Sequence, residues 1–79
     1  MAFIDTTDRH PGTVHIAQFF EFDHLRSELL KEVSQECALL ADTMVDALSD
    51  SPELLVGLRK LLEAKDAFVR CAILEEAME

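Results

Sequence analysis

Two stretches of apolar residues at alternating three- and four-residue steps, parted by a Ser-Asp-Ser-Pro break, constrain this chain most. In the first, Leu30, Val33, Cys37, Leu40, Met44 and Ala47 follow at steps of three, four, three, four and three. Such a heptad seam is the pattern of a helix lying nearly parallel or antiparallel to another. It predicts a helix over residues 24–48. Leu29, Leu39 and Leu48 add a second apolar flank, wider than one neighbouring helix needs. In the second stretch, Leu54, Leu58, Leu61, Lys65, Phe68 and Ala72, with Leu74 or Ala77 beyond, mark the inner side of a helix over residues 52–77. Leu62, Val69 and Ile73 broaden that side. Arg59 with Glu63 and Asp66 with Arg70 stand at i, i+4 on its solvated face.

The break itself reads as a helix start. Ser51 can cap the second helix, with Pro52 at the first position, where a missing N–H costs nothing. Glu53 then favours the positive end of the helix dipole. A connection this short makes the two helices antiparallel neighbours. No stretch reads as a strand, so the expected fold is all-α: a hairpin of two long antiparallel helices.

Ahead of the hairpin, Thr6-Thr7-Asp8-Arg9-His10-Pro11-Gly12-Thr13 has turn residues and no period. Residues 1–13 are therefore read as a flexible N-terminal arm, and 14–79 as the helical hairpin domain. Ile16, Phe19 and Phe20 have the spacing of a short helix within residues 14–22. Phe20 and Phe22 alternate around Glu21, which leaves an extended end open.

A chain of 79 residues builds only a modest core. Cys37 and Cys71 have no CxxC or Cys/His cluster around them, so they read as small buried hydrophobes, not metal ligands. Neither a metal nor a cofactor is expected. Self-association is then the natural source of further burial, and a homo-oligomer is expected. The start, MAFIDTTDRHPG, lacks a basic region followed by a long apolar run. No segment approaches the roughly 18 apolar residues that span a bilayer. A soluble, intracellular protein without a membrane partner is expected.

Sixteen acidic against seven basic residues give a net charge of -9. That argues against DNA or RNA polymers, which need a basic surface to displace counterions. A small anion is different, because identical subunits can pool a few cations around it. Lys65 falls inside an apolar stripe, where it either snorkels to a glutamate or binds an anion. Phe20 and Phe22 precede the polar junction Asp23-His24-Leu25-Arg26. They are either a hydrophobic plug or a platform for stacking a base. His24 beside Asp23 has no nucleophile, glycine-rich loop or metal motif with it, so no enzyme is expected. Two readings remain on residues alone: a small-ligand binder with sites between subunits, and an adaptor or inhibitor of another protein.

Two segments bear on that choice. Phe20-Glu21-Phe22-Asp23-His24-Leu25, followed by Val33-Ser34, is similar to an aromatic-x-aromatic-x-His-Leu motif with a Ser-led helical segment after it. Leu58 to Arg70 resembles an LRKLLEAKDxxVR signature. Together they resemble the helical hairpin domain of bacteriophage anti-CBASS cyclic-oligonucleotide sponges, shared with one class of Thoeris anti-defence sponge. The resemblance covers about residues 15–74. It implies a non-catalytic phage protein, typically a hexamer of two-helix protomers, in the cytoplasm of the infected bacterial host. Such sponges sequester cyclic dinucleotides between paired protomers, and some hold cyclic trinucleotides where three protomers meet. Carried over residue by residue, Phe20 or Phe22 matches the base-stacking aromatic. Gln35 stands where a phosphate-contacting lysine is expected, bringing a donor without a charge. Arg26 stands in place of a proline after His-Leu and can supply a compensating charge. Lys65, Asp66 and Arg70 match as they stand, with Arg70 the candidate phosphate contact near a three-fold junction and Asp66 orienting Arg70 or Lys65.

Overall fold

A computed structural model describes residues 3–78, and in them each helix begins where a small polar or imidazole side chain holds a first-turn amide. Helix α1 runs Pro11–Ala17, with Pro11 at its first position and His10 Nδ1 accepting from the Gly12 amide at 2.9 Å. A single 3-10 turn, Gln18–Phe20, follows. Helix α2, Glu28–Ala47, is capped by Ser27, whose hydroxyl accepts from the Leu30 amide at 3.3 Å. Helix α3, Pro52–Ala77, is capped by Ser51 in the same way, at 3.1 Å from the Leu54 amide. The expected second helix, with Ser51 and Pro52 at its start, is thus found as read. The first starts four residues later than expected, because Ser27 satisfies its opening amides.

Helices α2 and α3 are antiparallel neighbours. Leu48 to Ser51 join them at one end, and at the other the Ser27 hydroxyl donates to Glu76 Oε2 at 2.7 Å. The short helix of residues 14–22 is divided in two: α1 packs on α3, and the 3-10 turn packs on α2. One core joins Ile4, Ile16, Ala17 and Phe20 to Ala38, Ala41 and Val45 of α2 and to Leu54 and Leu58 of α3.

The stripe of α2 turned to that core differs from the expected one. Ser34, Cys37, Ala38, Ala41 and Val45 are buried, while Leu40, Met44 and Ala47 are exposed. Two stripes one residue apart run along α2, and the one made of small side chains faces inward. Room for Phe20 and Ile4 above it requires small residues there. On α3 the same correction applies to Phe68, Leu74 and Ala77, which are exposed, while Leu54, Leu58 and Ala72 are buried. Cys71 is exposed, against the expectation that both cysteines lie inside. The i, i+4 pairs also differ: Glu63 lies 3.7 Å from Lys60, and Asp66 lies 3.4 Å from Lys65.

The arm is the larger correction. Met1 and Ala2, within the expected arm, and Glu79, at the end of the expected domain, lie outside the described residues. From Phe3 onward the segment is fastened. Ile4 is only 2% exposed and belongs to the core. Asp5 accepts from the Thr7 amide and hydroxyl, at 3.0 and 2.7 Å, and these bonds hold its carboxyl below the usual carboxylate range. The Arg9 amide closes a turn on Thr6 O at 3.0 Å, with Asp8 in the left-handed region, which aspartate tolerates. That turn delivers Arg9 to the C-terminus of α2. There its guanidinium donates to the carbonyls of Val45 and Leu48 and to Asp50 Oδ1. Helix C-termini leave carbonyls without partners and carry partial negative charge, so a cation there satisfies both. Isolated turn signals gave no period to read, and the order comes from these long-range bonds.

Candidate functional site

The side chains singled out from sequence do not gather in one cleft. Phe20 is fully buried in the core between the 3-10 turn and α2. It cannot stack on a ligand without leaving that core, so the plug reading holds for it and the base-stacking role does not. Phe22 is half-buried against the same core and meets Phe3 edge to face, with ring centroids 5.3 Å apart. Arg26 is exposed on the connection into α2. Gln35, one residue beyond the buried Ser34, is exposed on α2. Arg70 is exposed on α3. Arg26 precedes Ser27, which meets Glu76 at the end of the hairpin opposite the α2–α3 loop, whereas Lys65 stands near the middle of α3.

Lys65 is held in place. Its ammonium donates to the carbonyl of Phe19 at 2.9 Å and lies 3.4 Å from Asp66, with 13% of its side chain exposed. It therefore satisfies the end of the 3-10 turn, and Asp66 partners it. That arrangement fixes Phe19, an aromatic that entered above only through the spacing of a short helix. Phe19 is 47% exposed, and its ring meets His15 edge to face at 5.4 Å. Gln18 Nε2 lies 3.2 Å from His15 Nδ1. The signal for Phe19 was in the doublet itself: of two adjacent phenylalanines on a helical turn, only one can face a narrow core.

A second set of polar contacts lies at the α2–α3 loop. Asp50 accepts from the His10 amide at 2.9 Å, from the Thr13 hydroxyl at 2.7 Å and from Arg9 Nε at 3.1 Å. The His10 amide, then Thr13, then Arg9 hold its carboxyl below the usual range. Asp50 ties the N-terminal segment to the loop, with both of its carboxylate oxygens accepting. Burial pushes the Cys37 thiol up, which keeps it protonated and unreactive. Among the described residues no three His, Cys, Asp or Glu side chains gather as metal ligands do.

An open apolar feature lies between α2 and α3. Leu40, Met44 and Leu48 of α2 and Leu54, Gly57, Leu58 and Leu61 of α3 line a trough of about 610 Å³. It continues as a section of about 480 Å³ past Val33, Cys37, Phe68 and Cys71, with Leu40 and Leu61 shared by both. No residue of the N-terminal segment lines either section. No helix of the described residues is long and apolar enough to cross a membrane. Comparison with models of known protein families, with curated proteins and with solved structures finds no match.

Proposed function

We propose that this chain is a non-catalytic binding protein that assembles with copies of itself and sequesters a cyclic oligonucleotide, as a phage sponge against CBASS-type signalling in the infected host cytoplasm. The trough between α2 and α3 carries the binding-protein part of this reading. A long open apolar trough suits association with another surface. The motifs over residues 20–34 and 58–70 support the choice of ligand.

The site residues follow from the side chains left accessible. Phe22 of the matching motif and its neighbour Phe19 keep ring surface accessible for stacking, worth roughly 1–3 kcal/mol per base. Of the residues that the motifs single out, Arg26, Gln35 and Arg70 are exposed donors for phosphates, and charge-assisted hydrogen bonds from the arginines are the stronger ones. Lys65 acts through Phe19. Assembly, to a hexamer in this reading, supplies the rest, since one acidic protomer offers few cations to any one ligand and several protomers offer each of them several times over.

The deciding experiment is mass spectrometry of small molecules retained by the protein purified from cells that make cyclic di- and trinucleotides. An intact cyclic oligonucleotide released on denaturation is expected. Calorimetry with no heat from either ring size overturns the reading, and a degraded ligand points to an enzyme. The trough also suits an amphipathic helix of a host protein. A stoichiometric host partner with no nucleotide retained would establish that adaptor reading instead.

A further inference from the structure

The protomer exposes more surface than a closed monomer of its mass. Its accessible area is 5535 Å², against about 4,800 Å² expected at 8.9 kDa from the scaling of surface with mass. Its Cα radius of gyration is 13.1 Å, against roughly 11.6 Å for a compact chain of this length. The excess, on the order of 700 Å², is close to the ~800 Å² that each partner buries in a standard interface.

The trough is a continuous part of that open surface. Leu40 is 49% exposed and Phe68 55%, on a chain with few large apolar residues to spare. Gly57 sits inside α3 and opens on the trough, and a Cβ added there would meet nothing within 4 Å. A helix-interior glycine costs roughly 0.5–1 kcal/mol relative to alanine, and nothing in the protomer requires it. Ala64 and Cys71 follow Gly57 at seven-residue steps, alternating with Leu61 and Phe68. Large side chains and small gaps thus stand on one surface, which is the requirement for a patch that fits itself.

We infer that a second copy of this chain covers the trough, the two hairpins pairing about a two-fold axis near Leu40 and Leu61 to form a four-helix bundle. The inference rests on the proposed self-assembly and names its surface. Phe68 of each copy fills the gap over Gly57 of the other, and Leu40 and Leu61 meet their own copies at the axis. The charged residues lining the trough are all acidic: Glu36, Asp50, Glu53 and Glu75. Each copy also carries a net charge of -9. Added salt therefore strengthens this pairing by screening like charges, whereas it would weaken the docking of a basic partner helix.

Sedimentation equilibrium of the full chain without ligand tests this, with far-UV circular dichroism to show that each variant is folded. The wild type is expected at twice the protomer mass or a higher even multiple, more tightly so at high salt. Leu40→Glu and Gly57→Leu both point into open space in the protomer, and each is expected to raise the dissociation constant by at least roughly 100-fold. Ile73→Glu, exposed on α3 away from the trough, is expected to leave it unchanged. A monomeric wild type, or folded Leu40→Glu and Gly57→Leu variants that still pair, overturns the inference. A monomer that retains a cyclic oligonucleotide defeats this interface and not the proposed ligand, and a pair that retains none does the reverse.

Discussion

On one side of the α2–α3 pair, Ala38 and Ala41 share a core with Ile4, Ile16, Ala17 and Phe20. On the other, Leu40, Met44, Leu48 and Phe68 face the open trough. The same two helices present both sides, and on α2 the small residues are on the covered one. The chain closes its core with residues between Ile4 and Phe20 and leaves the bulky aliphatic stripe of α2 for something else. The difference teaches that size and exposure run opposite to the usual rule here, because an inward stripe must leave room for what lies above it.

The sharpest way to break this comparison is to truncate one large aromatic on each side. Phe20→Ala removes a fully buried ring and is expected to cost about 3–5 kcal/mol in denaturant unfolding. Phe68→Ala removes a ring that the protomer leaves mostly in water, and is expected to cost under about 0.5 kcal/mol at concentrations where the chain is a monomer. Equal costs would mean that the two sides are not distinct.

These two residues also mark how far the sequence could be read. The number, length and antiparallel order of the long helices were legible, because a heptad spacing and a Ser-Pro start are local signals. The inward stripe of α2 was not. Residues 33, 37, 40 and 44 and residues 34, 38, 41 and 45 repeat at the same steps, one position apart, and only the segment that covers the second set distinguishes them. That segment was itself illegible, since Ile4 acts through packing in the core and Arg9 through bonds to residues about forty positions away, and neither leaves a period. In the candidate site the exposed positions Arg26, Gln35 and Arg70 follow from lying beside buried ones. The exchange of Phe20 for Phe19 depended on where the 3-10 turn ends, which spacing alone does not fix.

Next in size is the fastening of the covered side. Arg9→Ala removes a guanidinium that bonds two helix-end carbonyls and Asp50, and is expected to cost about 2 kcal/mol, as for charge-assisted bonds left unmade. Hydrogen exchange at the amides of Ile16 and Phe20 should accelerate with it. Unchanged protection there would show that the segment holds without its latch. Asp50 adds a pH dependence with a definite sign. Its folded carboxyl binds a proton less readily than the ordinary 3.8, so its contribution is complete well above that value and is lost as pH falls through the lower folded one. The melting-temperature gap between wild type and Asp50→Ala should therefore be constant near neutrality and narrow below about pH 4. A gap that widens in acid would contradict the assignment of these bonds.

The smallest expected effect comes from the two glycines, one on each side. A Cβ at Gly12 would meet His10 Nδ1 and Leu55 Cδ1, each at 3.1 Å, so the cap of α1 and a core neighbour must both give way. Gly12→Ala is expected to be neutral or slightly destabilising, its helix-propensity gain offset by those contacts. A Cβ at Gly57 meets nothing, so Gly57→Ala should stabilise the monomer by up to about 1 kcal/mol. Unfolding of both variants at low and high protein concentration separates the cases. At low concentration only Gly57→Ala should gain. At high concentration that gain should shrink or reverse if another helix lies close over Gly57, because the methyl then occupies space the partner needs. A gain that is the same at every concentration would leave the trough without a close neighbour and the glycine without a purpose.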